Sequence, residues 1–300
     1  MIRFLRKIQV IAGAILLSSL ASGYSVHAAD FSDTFLGYKY GSRFADPYIQ
    51  KDISKNVLNF GHVSAYKYGS NVISIDYLIS DKNDPAHDPS KNALNASVTG
   101  ATEVYAIYRH TLDFGKISGS KFKFGPIAGI GFTAGFDVNT KHDAGYNSKK
   151  QMIVAGPTFF LGVPAGFVNV SVLQLWESNA PFSTLCSRGV SRFSYDPHPM
   201  LDVVWGIPVG TFFLKGFGSF ITPKGLFEPN ACFGTQSKTA PETQIDISLM
   251  YDMASVLGTP KNALQVGVGY NYWRNKFGND ASIVPGAFAR TPNLKFEYHF

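Results

Sequence analysis

Leu294-Lys295-Phe296-Glu297-Tyr298-His299-Phe300 sets four apolar side chains on one parity and three ionisable ones on the other. Successive strand residues face opposite sides of a sheet, so this stretch predicts a strand with one apolar and one charged face. Working outward, the same period recurs. Leu264, Val266, Val268, Tyr270 and Tyr272 alternate with Gln265, Gly267, Gly269 and Asn271. Ile245, Ile247, Leu249 and Tyr251 alternate with Gln244, Asp246, Ser248 and Asp252, and Ile73, Ile75, Tyr77 and Ile79 with Ser74, Asp76 and Ser80.

Twelve segments carry this pattern at roughly the ten-residue length of a tilted membrane strand. They fall at 34–41, 56–67, 71–80, 102–113, 121–135, 150–161, 166–177, 198–206, 210–222, 242–253, 262–274 and 289–300. Phe167 to Trp176 is apolar on both parities, which suggests a bulge or an off-register turn. Connections after the even-numbered segments are mostly brief, such as Tyr68-Gly69-Ser70 and Gly162-Val163-Pro164-Ala165, whereas those after odd-numbered segments are longer and rich in Asp, Asn, Pro and Gly. That asymmetry on an even number of strands predicts an all-β, transmembrane antiparallel barrel of the bacterial outer membrane, with both termini periplasmic. Closure is obligatory because every backbone amide in hydrocarbon needs a partner. Alternation alone would favour a soluble β-sandwich; export, loop asymmetry and the terminal aromatic together favour the barrel.

The chain has 300 residues, 45% hydrophobic and 16% charged, and a mean hydropathy of zero. These values resemble a soluble protein's, but alternating lipid-facing and lumen-facing residues would cancel to the same mean. Arg3, Arg6 and Lys7 precede the apolar run Val10 to Leu17, small residues and Ala28-Ala29. This order predicts a signal peptide over 1–29 and a barrel over 30–300. Half of the formal net charge of +6 belongs to that leader, so the basic balance argues little for nucleic acid. Nothing else approaches ~20 consecutive apolar residues, which excludes a helical membrane protein. The 14% aromatic content and 29 glycines fit membrane girdles and tight strands. Cys186 and Cys232 fall in two outside loops and form a candidate disulfide, as an even pair in an exported chain suggests. Leu294, Phe296, Tyr298 and Phe300 match the terminal signature read by the bacterial barrel-assembly machinery.

The stretch Thr102-Glu103-Val104-Tyr105 through Arg109 and Asp113, followed by Phe122-Lys123-Phe124-Gly125-Pro126, resembles the nucleoside-specific outer-membrane channel family Tsx. Gly129-Ile130-Gly131 to Asp137, Val168 to Trp176, and the opening Phe31 to Gly41 are similar to further parts of that family. The resemblance implies a monomeric twelve-stranded barrel in outer-membrane lipid, passing nucleosides through a narrow pore of aromatic rings beside ionisable groups. Strand parity, independently, nominates pore-lining residues: Lys39, Asp76, Glu103, Tyr105, Arg109, Asp113, Asp246, Lys295, Glu297 and His299. These charges either form a solute track or pair with one another to fill a narrow interior.

No cofactor, metal or catalytic residue is expected. The alternative functions are an outer-membrane phospholipase-like enzyme and an adhesin or phage-receptor barrel. A phospholipase would need a serine beside an oriented histidine on the outer wall. His110 shares the lipid parity of its strand, but no His-x-Ser-Asn-Gly motif accompanies it. Asp81, Asn83, Asp84, His87 and Asp88 lack the glycine and terminal Glu of a calcium loop and read as a solvated surface loop.

Overall fold

The computed structural model describes residues 30–88, 96–180, 182–183, 188–189, 192–227 and 238–300. The expected signal peptide, Cys186 and Cys232 lie outside the described residues. Twelve long strands form one antiparallel ring: β1 (Phe31–Phe44), β2 (Ile53–Tyr66), β3 (Gly69–Ser80), β4 (Thr102–Asp113), β5 (Ile127–His142), β6 (Lys149–Leu161), β7 (Phe167–Asn179), β8 (His198–Val209), β9 (Phe212–Ile221), β10 (Glu242–Asp252), β11 (Leu264–Arg274) and β12 (Phe288–His299). Each pairs with its neighbours in sequence, and β12 returns to β1 with Phe35 opposite His299 and Tyr40 opposite Leu294. The sheet therefore has no free edge among its barrel strands.

Parity sorts the side chains. Leu36, Leu58, Ile153, Val172, Val268 and Leu294 point outward and are exposed. Outward aromatics gather at two levels. Tyr40, Tyr77, Trp176 and Phe220 lie near the long-loop ends of their strands, and Tyr66, Phe212, Tyr251 and Tyr298 near the short-turn ends. Two aromatic girdles flanking an apolar band are what a bilayer selects on a barrel exterior. The opposite parity faces the lumen. There Gly61 leaves room for the Phe35 ring, which a Cβ at that position would meet at 2.2 Å.

Three sequence expectations change. The fifth strand begins at Ile127, not 121, and continues to His142. Lys121 to Phe124 do alternate, but Gly125 takes a left-handed conformation (φ 53°) and Phe124 bridges back to Ile127. The connection after β5 consequently shrinks to 143–148. The preceding one holds a short helix, α1 (Phe114–Ser118), and another, α2 (Ala254–Leu257), follows β10. Finally, β7 keeps an unbroken register with β8. Its two apolar faces arise because Leu173 and Leu175 pack with Met152, Val154 and Met200 into an apolar patch on the lumen wall.

Candidate functional site: the charged lumen

The lumen is filled by paired charges at successive depths. Toward the long-loop end, Asp46 from the β1–β2 connection is the common acceptor of three lysines. Lys55 Nζ lies 2.7 Å away, Lys141 Nζ 3.2 Å, and Lys276, from the β11–β12 connection, donates to its other oxygen. Lys141 also meets Asp84 at 2.9 Å and Asp143 at 2.8 Å. Burial alone would raise the Asp46 carboxyl, but the three ammonium groups override it and hold the acid well below the usual carboxylate range. Lys276, desolvated between loops, is pushed below the ordinary lysine value despite its contact with Asp46. Its ammonium sits over Trp273 (4.5 Å) and Phe277 (5.2 Å). Phe277 and Asn275 both have positive φ, 60° and 54°, an uncommon backbone state for such residues.

Three further clusters follow, the first also at the long-loop end and the other two deeper. Lys224 donates to both Glu177 oxygens at 2.9 and 3.0 Å, and its ammonium lies 4.3 Å from the Tyr195 ring centre. Arg109 pairs with Asp137, to which the Tyr105 hydroxyl also donates at 3.1 Å. Asp246 accepts from Lys295 at 2.6 Å and lies 3.5 Å from Lys39. At the short-turn end, Lys215 pairs with Glu297. His299 contacts Asp33 at 2.9 Å and Glu297 at 3.3 Å, and the Lys215 ammonium lies 5.6 Å from the Phe35 ring centre and 5.9 Å from that of Phe213. Desolvation offsets much of the attraction within such pairs, so their effect is to fix which groups face the path.

Of the sequence-nominated residues, Lys39, Tyr105, Arg109, Asp246, Lys295, Glu297 and His299 fall in these clusters. Asp76 lies beside the Asn59 amide. Glu103 accepts from Asn139 at 2.6 Å and stands 4.0 Å from Lys55. Asp113 does not join the track. It ends β4 and its carboxylate caps α1, accepting from the Gly115 and Lys116 amides at 2.9 and 3.1 Å. Leu294, Phe296, Tyr298 and Phe300 all point outward and are exposed. The connection at 81–88 is not simply solvated, since Asp84 is fully buried and accepts from Ser80 Oγ at 2.7 Å and from Lys141.

Sequence reasoning missed Asp46, Lys55, Asp84, Asp137, Lys141, Glu177, Lys215, Lys224 and Lys276, and Lys150, which stands 3.7 Å from Glu177. Parity could have found Lys55, which alternates inward with Val57 and Asn59, and Lys215 likewise. Asp46, Asp84, Lys224 and Lys276 come from connections and carry no periodic signal.

A closed antiparallel ring with an apolar, aromatic-banded exterior and a charged interior is a transmembrane barrel of the bacterial outer-membrane type. The sequence matches no known family profile and no curated protein. Among solved structures, the chain is similar to the translocator domain of the autotransporter NalP from Neisseria meningitidis (11% identity, 97% of this chain and 96% of that one, TM-score 0.44). It is also similar to the KdgM porin (7%, 89% and 99%, 0.38) and to OccAB3 of Acinetobacter baumannii (10%, 90% and 98%, 0.35). At these values the likenesses assign no function; the barrel rests on its own strand pairing.

Proposed function

We propose that the protein is a passive channel for small polar solutes, and that nucleosides are the solutes it selects. The observation carrying this reading is the recurrence of a lysine ammonium over aromatic faces at three places along the lumen and its mouth: Lys276 over Trp273 and Phe277, Lys224 over Tyr195, and Lys215 over Phe35 and Phe213. A nucleobase stacks on the same ring faces, and base–aromatic stacking tolerates any base. Sugar hydroxyls exchange hydrogen bonds with the flanking carboxylates and ammonium groups. Because those groups are already paired with one another, each solute contact replaces an existing one and its net gain is small, as a conducting site requires. The similarity of 102–126 to the nucleoside channel family points the same way.

The phospholipase-like alternative receives no support from His110. Its ring nitrogens face the Tyr66 hydroxyl (3.1 Å) and Asn71 Oδ1 (2.8 Å), not a serine. Solute equilibration into proteoliposomes tests the proposal. Thymidine should enter faster than a monosaccharide of smaller size; entry ordered by size alone would remove nucleoside selectivity, and no entry of either would remove the channel.

A further inference from the structure

Near the short-turn end, the apolar belt outside β1–β4 is interrupted by polar side chains. His62 Nδ1 meets Thr34 Oγ1 at 2.8 Å. His110 bridges the Tyr66 hydroxyl and Asn71, and Tyr108 donates to the same Asn71 oxygen at 2.9 Å. Tyr66 also stacks on His110, with ring centres 5.8 Å apart. These residues lie within a few positions of their strand ends, at headgroup depth in a barrel of this type.

Immediately below is a concentration of basic charge. Lys116 Nζ donates to the Tyr66 carbonyl at 3.4 Å, and Lys67 lies 5.0 Å from the Tyr68 ring centre. Lys121 and Lys123 follow on the same connection as Lys116. Among the described residues, none of these four lysines has a carboxylate within 4.0 Å, in contrast to the lumen lysines named above. Asp113, at the head of the connection, is occupied by its cap contacts, and Asp30, which the register sets opposite Tyr66, makes no ion pair within 4.0 Å with these lysines among the described residues. The same connection exposes Phe114, Ile117, Phe122 and Phe124.

We propose that this rim binds an anionic glycerophospholipid of the periplasmic leaflet. Lys67 and Lys116 meet the phosphodiester, and the Tyr66–His110–Asn71 network faces the glycerol ester region. The exposed Phe and Ile side chains enter the acyl boundary, as aromatic residues do at membrane interfaces. A free phosphate would satisfy the lysines but leave those apolar side chains in water, which is why the lipid is the occupant.

Native mass spectrometry of the purified full chain, offered equimolar phosphatidylglycerol and phosphatidylcholine in detergent, tests this. The wild type should retain phosphatidylglycerol in preference. Each lysine near an anionic surface contributes about fivefold in affinity. Lys67→Gln with Lys116→Gln should therefore weaken retention about 30-fold by the same reckoning, whereas Lys261→Gln at another short turn should not. The double Lys→Arg variant should retain it, and barrel integrity is read from heat-dependent gel mobility. Equal retention of the two lipids by the wild type would overturn the proposal, as would equal losses for Lys261→Gln and the double variant. Displacement of the lipid by millimolar inorganic phosphate would instead mark a simple anion site and equally overturn it. Should the Gln variant fail to fold, the wild-type lipid preference and the Arg variant decide the matter.

Discussion

Replacing Asp46 should release the β1–β2 connection from the lumen. Its carboxylate is the shared acceptor of Lys55, Lys141 and Lys276. After Asp46→Ala, Lys55 keeps Asp84 at 3.7 Å and Glu103 at 4.0 Å, and Lys141 keeps Asp84 and Asp143. Lys276 loses its ion pair and keeps the Ala45 carbonyl at 3.0 Å, which belongs to the same connection, and the faces of Trp273 and Phe277. Removing one partner of a buried pair costs about 3–5 kcal/mol. Two of the three lysines retain acids, so the expected loss is near the lower end, about 3 kcal/mol. The Asp46 carboxyl is held below its ordinary value, so its contribution is fully present above the unfolded value of about 3.9 and is lost as pH falls through the depressed folded value. The stability difference between wild type and Asp46→Asn should therefore be constant above about pH 5 and shrink below about pH 4. Urea unfolding in lipid vesicles, read by gel mobility and tryptophan fluorescence, gives the stability, and single-channel recording should show a larger conductance for Asp46→Ala. Wild-type stability and conductance in both variants would refute the latch.

Other outcomes follow from the same lumen and belt. Tyr105→Phe or Arg109→Ala, each removing a hydrogen bond to the charged Asp137 worth about 1.5–3 kcal/mol, should change nucleoside block of ion current by about tenfold or more, and Val266→Ala on the outer face should not. Equal effects would contradict the inward placement of β4's odd positions. Gly61→Val drives a side chain into the Phe35 ring and should destabilise the barrel by about 1–3 kcal/mol in the same urea assay, the usual cost of overpacking. Val268→Lys, outward and 58% exposed, should cost about 2–4 kcal/mol if that position faces the bilayer midplane; a neutral result would place it outside the membrane.

Much of the fold was legible because the bilayer imposes a strict period. All twelve strand positions followed from alternation and turn spacing, and the parity of Lys39, Arg109, Asp246 and Lys295 brought them to the lumen side. Alternation misled where it persisted into a turn, as at Lys121 to Phe124, since only Gly125-Pro126 breaks the strand there. It also stopped short at 135, whereas β5 continues to His142 with Phe136, Val138 and Thr140 outward and Asp137 and Asn139 inward. The outer ion lattice was least legible. Asp46, Asp84, Lys224 and Lys276 reach the lumen through folded connections, and their positions depend on tertiary closure that no local pattern encodes. Leu173 and Leu175 were ambiguous because an apolar lumen wall and a bulge produce the same string of residues.

Planar-bilayer recording of the purified protein decides whether the barrel conducts and selects nucleosides. A small, passive conductance should appear, small because paired charges fill the lumen, and adenosine or thymidine should reduce it saturably. A tightly inserted barrel that carries no current would contradict the channel, and a current untouched by nucleosides would contradict their selection.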